Sequence, residues 1–163
     1  MITLHDDEGM TEILNGVAVT RKITFERKLG HGCTVKVDVI YDPVLERLAA
    51  SSISVNAEHG AEVAGAILRK IRVQDFVQEA VDHVIFVKNA KDEWQEVIGM
   101  DGYLYDLAQL DGDREETVAL IYSLAKLTNM PPLKAVAETL SVSHSTATRM
   151  VTRARNNGKF HLG

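Results

Sequence analysis

Apolar and polar residues alternate over two stretches near the start of the chain. In residues 19–29 the apolar positions are Val19, Ile23, Phe25 and Leu29. In residues 35–39 every other position is valine. A period of two predicts strands that bury one face. Residues 1–17 have no clear period, so we expect a loose lead-in there with a short helix or strand.

Turn-forming residues separate these strands. Gly30-His31-Gly32 lies between them, and glycine tolerates the positive φ that tight turns need. Tyr41-Asp42-Pro43 ends the second strand. A third strand is predicted over residues 46–57, with Ile53 and Val55 as its apolar positions. Three consecutive strands joined by short turns predict an antiparallel meander.

The period lengthens after the meander. From Glu62 to Val84 the apolar residues recur every three or four positions, which predicts two amphipathic helices broken near Ile71-Arg72. The β-branched residues at 84–87 leave that end open between helix and strand. Residues 88–112 are charged and glycine-bearing, and predict a connecting segment. Short elements, each a helix or a strand, are expected there around 94–98 and 103–110.

The C-terminal residues predict three helices. They are expected over 113–127, 132–140 and 144–156. Asp113 and Ser143 are suitable N-caps for the first and third helices. Asn157-Gly158 is suited to end the third helix. Phe160 is expected to fold the tail back onto these helices.

The fold class predicted from these patterns is α+β, in two parts. Residues 1–87 are expected to form an antiparallel β-meander with helices, and to serve as a dimerisation or partner-binding domain. Residues 88–112 connect it to the second part. Residues 113–163 are expected to form an all-α trihelical domain.

The composition is that of a globular protein. Of 163 residues, 45% are hydrophobic and 25% charged, which excludes wholesale disorder. No apolar run approaches the ~20 residues of a membrane helix, and the N-terminus lacks the pattern of a signal peptide. The single cysteine, Cys33, excludes an internal disulfide and a cysteine-rich zinc site. We therefore expect a cytoplasmic protein with no membrane contact, no metal and no cofactor.

Charge is unevenly distributed along the chain. The formal net charge is −5, which by itself speaks against a nucleic-acid ligand. Residues 1–112, however, hold 11 basic and 19 acidic residues, whereas residues 113–163 hold 7 basic and 4 acidic. An acidic front and a basic tail indicate different partners for the two parts.

A spaced pattern of small, apolar and hydroxyl residues runs from position 136 to 149. It reads Val136-Ala137-x-x-Leu140-x-Val142-Ser143-x-Ser145-Thr146-Ala147-x-Arg149. This pattern resembles the helix-turn-helix DNA-binding domain, especially the trihelical type of recombinase tails and sigma-factor-like regions. The resemblance covers residues 113–163. It implies that two helices cross closely at Ala137 and that the free face of the third helix enters the major groove.

One position departs from the family pattern. The turn residue that is usually glycine is Ser141 here. We therefore expect a positive φ at a residue with a side chain, which is unfavourable.

The free face of the third helix carries short polar and basic side chains. The residues predicted to contact double-stranded DNA are Ser143, His144, Ser145, Thr146, Thr148, Arg149, Thr152, Arg153, Arg155, Lys159 and Lys134. Arg149 and Arg153 have the guanidinium fork that reads guanine. The other basic residues would contact phosphates, as would the backbone amides near Ser143.

These features predict a sequence-specific DNA-binding protein, a bacterial or phage transcriptional regulator. A single trihelical unit buries little DNA surface, so we expect a homodimer. The alternative is an adaptor whose trihelical domain binds protein, with a further protein partner for the acidic front. An enzyme acting on DNA would need a carboxylate cluster. The acidic residues Asp38, Asp42 and Glu46 are not spaced for a metal site, so no enzymatic activity is expected.

Overall fold

The computed structural model describes residues 1–4, 9–14, 16–20, 22–89, 91–109 and 112–160. Parts of the segments predicted at 1–17, 19–29, 103–110 and 113–163 lie outside these residues. The described residues form the strands β1 (Ile2–Leu4), β2 (Met10–Leu14), β3 (Val17–Thr20), β4 (Lys22–Gly30), β5 (Cys33–Asp42), β6 (Arg47–Ala57), β7 (Ile85–Lys88) and β8 (Trp94–Glu96). They also form the helices α1 (Gly65–Leu68), α2 (Val73–Val84), α3 (Met100–Gln109), α4 (Arg114–Leu127), α5 (Pro132–Thr139) and α6 (His144–Asn156). The protein is therefore α+β.

The first sheet contains the predicted meander. Its order is β1-β4-β5-β6, and all its neighbours are antiparallel. Phe25 pairs with Val37, and Val37 pairs with Ile53 on the next strand. The alternating apolar residues of β4 and β5 are buried on one face, whereas the opposite face carries polar residues such as Asp38. The expected alternation thus gives a sheet with one apolar face.

A second antiparallel sheet, ordered β2-β3-β7-β8, was not predicted. The single strand expected over residues 19–29 is wrong, because β3 ends at Thr20 and β4 begins at Lys22 in the other sheet. All four residues of β3 are buried, so β3 has no alternation of its own. Its partner β7 is distant in sequence, which hides the pairing from local pattern.

The helix α2 covers the apolar face of the first sheet. It contacts β4, β5 and β6 through the buried stripe that includes Phe76 and Val77. The Phe76 ring meets Phe25 edge to face, with centroids 5.8 Å apart. The break between α1 and α2 lies at residues 69–72, as predicted. The sequence left residues 84–87 undecided between helix and strand; in the structure α2 ends at Val84 and the strand β7 begins at Ile85.

The segment predicted as a connection contains two elements. The strand β8 pairs with β7, and the helix α3 contacts α4 and α5. These are the short elements expected around 94–98 and 103–110. Met100, Leu104 and Leu107 of α3 are buried in the same core as the sheets.

The last three helices pack against one another and against the first sheet. Each of α4, α5 and α6 contacts the other two, and α4 also contacts β6. Asn129, between α4 and α5, donates to the carbonyl of Leu48 at 3.2 Å and accepts from Arg47 at 2.8 Å. Lys126 forms an ion pair with Glu46. These contacts, here called the hinge contacts, fix the three helices to the start of β6.

No helix among the described residues is both long enough and apolar enough to cross a bilayer.

Candidate nucleic-acid interface

The helix α6 begins at a side-chain cap. Ser143 has an extended backbone, and its hydroxyl accepts from the amide of Thr146 at 3.2 Å. The same hydroxyl donates to the Thr146 hydroxyl at 2.9 Å and lies 3.1 Å from the Ser145 hydroxyl. Ser143 is therefore the N-cap that the sequence predicts. Its hydroxyl stabilises the first turn of α6.

The turn between α5 and α6 has the strain expected from its sequence. Ser141 has φ of +52°, in the left-handed region. Its amide donates to the carbonyl of Glu138 at 3.2 Å, and the amide of Val142 donates to that of Ala137 at 2.9 Å. This is the Schellman arrangement, which normally uses glycine at the left-handed position. The prediction of a positive φ at Ser141 is confirmed.

The inner face of α6 is made of small and branched apolar residues. Ala147, Val151 and Ala154 are buried. Leu140 is buried beneath the turn, and Val142 packs against the same core. Small residues let α6 lie close to α4 and α5. The opposite side of α6 therefore remains open to solvent.

The outer face of α6 carries most of the predicted residues. Those that are exposed on this face are His144, Ser145, Thr148, Arg149, Thr152 and Arg153, while Thr146 is half-buried. Arg155 is also exposed but lies toward α4. The hydroxyls of Thr148 and Thr152 donate to the carbonyls of His144 and Thr148, each at 2.9 Å. These bonds use the hydroxyl protons and leave oxygen lone pairs for a further donor.

A shallow groove of about 540 Å³ runs along this outer face. It is lined by Thr148, Arg149, Thr152, Arg153, Asn156 and Asn157. The two asparagines were not among the residues predicted from the sequence. Asn156 is exposed and lies three and four positions after Arg153 and Thr152, so helical spacing could have placed it on the same face. An asparagine amide is able to read adenine.

Acidic side chains at the start of α4 bind two of the predicted basic residues, Arg153 and Lys159. Glu115 accepts from Arg153 Nε at 2.7 Å and, through its other oxygen, from Asn157 at 2.7 Å. Lys159 Nζ lies 2.7 Å from Asp113 and 2.9 Å from Glu116. The hydrogen bond from Lys159 lowers the pKa of Asp113, and the bond to Asp113 raises the pKa of Lys159. Both groups therefore stay charged at neutral pH.

Arg155 lies on the side of α6 that faces α4 and the tail. Its guanidinium is 5.2 Å from the centroid of Phe160 and 5.7 Å from that of Tyr122. The two rings meet edge to face at 5.4 Å. Phe160 thus returns the tail to the helices as predicted, with Arg155 as its cation–π partner.

Arg149 and Lys134 occupy different surroundings. Arg149 is exposed, and its guanidinium lies 3.4 Å from the Thr146 hydroxyl. Within the described ranges, Arg149 has no ion pair with a carboxylate, unlike Arg153 and Lys159. Lys134 lies on α5 and pairs with Glu138 at 3.7 Å. The structure thus distinguishes Arg149 from Arg153 and Lys159, whose charges are paired with carboxylates at the start of α4.

The acidic residues considered for metal-dependent chemistry are engaged separately. Asp38 accepts from Thr24 at 2.7 Å and Ser52 at 2.9 Å, and pairs with Lys22 at 3.1 Å. Burial acts to raise the pKa of Asp38, and these donors together bring it below its usual value. Asp42 accepts from the turn amides of the β5–β6 hairpin, and Glu46 pairs with Lys126. Among the residues that the structure describes, no three His, Cys, Asp or Glu side chains are grouped to hold a metal.

No protein-family model matches the chain, and neither the curated proteins nor the solved structures contain a match. The surface chemistry of α6 is therefore the basis for inferring function.

Proposed function

We propose that the protein is a sequence-specific DNA-binding regulator of transcription that acts in the cytoplasm as a homodimer. In this proposal α4, α5 and α6 form a helix-turn-helix domain, and α6 is the helix that enters the major groove. The single observation that carries the proposal is the outer face of α6. That face presents a row of hydrogen-bonding side chains around Arg149, whose guanidinium has no carboxylate partner among the residues that the structure describes.

Base reading is assigned to the residues of the α6 groove. Arg149 has the planar fork that bonds both guanine acceptors, and Asn156 has the amide that bonds adenine. Thr148 and Thr152 offer methyl groups for thymine contact and oxygens that accept from base amino groups. Three types of base contact are thus within reach of a single helix face.

Phosphate contact is assigned to the basic residues that border the groove. The side chain of Arg153 remains 77% exposed although it pairs with Glu115. Because this guanidinium lies largely in water, its ion pair is weak although Glu115 is only 20% exposed, and a phosphate is able to compete for it. His144 and Ser145 lie at the N-terminal end of α6, where the helix dipole favours an anion.

A specific observation supports a second candidate, an adaptor that binds protein through the same helix. Arg153, Arg155 and Lys159 are all engaged by acidic or aromatic groups of the chain itself. Their charges therefore contribute less to the attraction of phosphates than their number indicates. An adaptor would use the α6 groove for a polar protein surface.

The test is fluorescence anisotropy with a random pool of duplex fragments across a salt series. We expect wild-type binding to weaken as salt rises, because binding releases counterions from the phosphates. Arg149→Ala should lower affinity for selected fragments by about 5- to 150-fold, which corresponds to the loss of one bidentate base contact.

Arg72→Ala is the matched control, since it removes the same charge from an exposed position next to α2. This variant should leave the affinity for the selected fragments nearly unchanged. A folded wild-type protein that binds no fragment at low salt would refute DNA binding and favour the adaptor.

A further inference from the structure

The outer edge of β6 is open over most of its length. β6 is the last strand of the first sheet, and the residues that the structure describes place no strand on its outer side. The hinge contacts cover its first residues, where Asn129 bonds the carbonyl of Leu48. A bulge opposite Asp38 and Val39 separates this covered part from residues 52–57. Open strand edges present unpaired backbone groups that recruit another strand.

Apart from this bulge, the sequence of this edge lacks the usual protections against pairing. Natural edge strands are commonly protected by charged side chains or proline. Residues 48–57 contain neither a charged residue nor a proline. Ile53 is 45% exposed although its register partner Val37 is fully buried on the same sheet face. A further strand beside β6 would bury Ile53.

We propose that β6 pairs antiparallel with β6 of a second copy of this chain, about a two-fold axis at Ser54. In this register Ile53 lies opposite the partner's Val55, on the face that α2 covers. Ser52 lies opposite the partner's Asn56 on the polar face. Apolar residues therefore meet apolar residues, and polar residues meet polar residues, without any change in the strand. The two first sheets become one continuous eight-stranded sheet.

The second copy is favoured over an unrelated strand by charge. Residues 1–112, which contain this strand, hold 11 basic and 19 acidic residues, so the front parts of two copies repel where their charged surfaces approach each other. The uncharged strand is a place where a symmetric contact brings no like charges together. A two-fold contact also needs a self-complementary patch, which the Ser54-centred register supplies.

The choice of partner rests on the proposed function, which requires two reading helices. Ser54 lies six positions after Leu48, a length of about 20 Å along a strand. The two hinge contacts would thus lie roughly 40 Å apart, at opposite ends of the paired strands. This span is of the order of the ~34 Å between half-sites on one face of B-DNA.

Sedimentation velocity of the full chain tests the interface without DNA. We expect a dimer for wild-type protein at up to about 100 µM, above the micromolar range of modest interfaces. Ile53→Lys should give a monomer with unchanged circular dichroism, because two lysines would face the two-fold axis. Ile98→Lys is the matched control, since Ile98 is 80% exposed after β8 and should leave the dimer intact. A wild-type monomer overturns the proposal.

A cross-link fixes the register independently of any loss of folding. Ser54→Cys should form an intermolecular disulfide under mild oxidation, because the two Ser54 positions face each other. Asn56→Cys lies on the same face but pairs with the partner's Ser52, so it should not cross-link. Cys33 is only 2% exposed and should stay reduced in both variants.

Equal cross-linking by both variants, or by neither, overturns the register. DNA binding by a wild-type monomer would overturn the interface and the dimeric state, and leave only DNA binding through α6 standing. A cross-linked dimer that binds no DNA would do the reverse.

Discussion

The helices α4, α5 and α6 are each followed by a residue in the left-handed conformation, and the residue type differs at each helix end. Asn129, Ser141 and Gly158 each follow a helix with φ between +52° and +72°. In each case two amides close back on the last turn of the helix. Asn129 tolerates this conformation and uses its side chain in the hinge contacts, and Gly158 has no Cβ to strain. Ser141 has neither advantage.

Ser141→Gly should therefore stabilise the protein. We expect the free energy of unfolding in urea to rise by about 0.5–1 kcal/mol, since glycine relieves the left-handed strain at a small entropic cost. Asn129→Gly is the matched comparison at an equivalent helix end. It should lower stability by about 1 kcal/mol or more, because the bonds to Leu48 and Arg47 are lost. A neutral or destabilising Ser141→Gly would show that this turn is not strained.

At the scale of elements, the sequence predicts those features that depend on residues close together in the chain. The caps at Asp113 and Ser143 and the bounds of α4 and α6 agree with the sequence, because capping depends on near neighbours. The meander was also visible, since its strands are consecutive. The pairing of β3 with β7 was not, because β3 is buried on both faces and its partner follows much later.

In the candidate site too, features set by near neighbours were predictable and features set by distant contacts were not. The exposed face of α6 follows from helical period, so its polar residues were predictable from the sequence. The pairing of Arg153 with Glu115 was not, since it depends on how α6 packs across α4. The sequence predicts Asp113 only as an N-cap, yet Asp113 also binds Lys159, together with Glu116.

Because Glu115 of α4 pairs with Arg153, α4 would affect how strongly Arg153 binds a DNA phosphate. Glu115→Gln should strengthen DNA binding about two- to fivefold, because an exposed ion pair worth a fraction of a kcal/mol no longer holds Arg153. Anisotropy at low salt measures the change. Glu62→Gln, an exposed substitution next to α1, is the charge-matched control. If both variants bind alike, Arg153 does not reach phosphate in the complex.

At the scale of the whole molecule, the two predicted parts share one core. Buried residues run without interruption from Val17 in the second sheet and Phe25 in the first to Val151 in α6. The hinge contacts add polar links between β6 and the C-terminal helices.

A shared core should make unfolding cooperative. We expect the fluorescence of Trp94, in β8, and the helical ellipticity to report coincident transitions in urea. The chain has a single tryptophan, so the fluorescence reports on the second sheet alone. Two separated midpoints would instead mean that the helices fold independently of the sheets.

The hinge contacts also bear on the distance between the two α6 helices of the proposed dimer, and so on the spacing of the half-sites that it would bind. A flexible tether lets a second binding module search many distances, at a local concentration set by its length. The continuous core and the Asn129 hydrogen bonds leave no such tether between β6 and the C-terminal helices. The two copies of α6 would then have one fixed separation and one fixed rotational phase. Inserting half a helical turn between half-sites would turn the second away from its helix, so operator spacing becomes as selective as operator sequence.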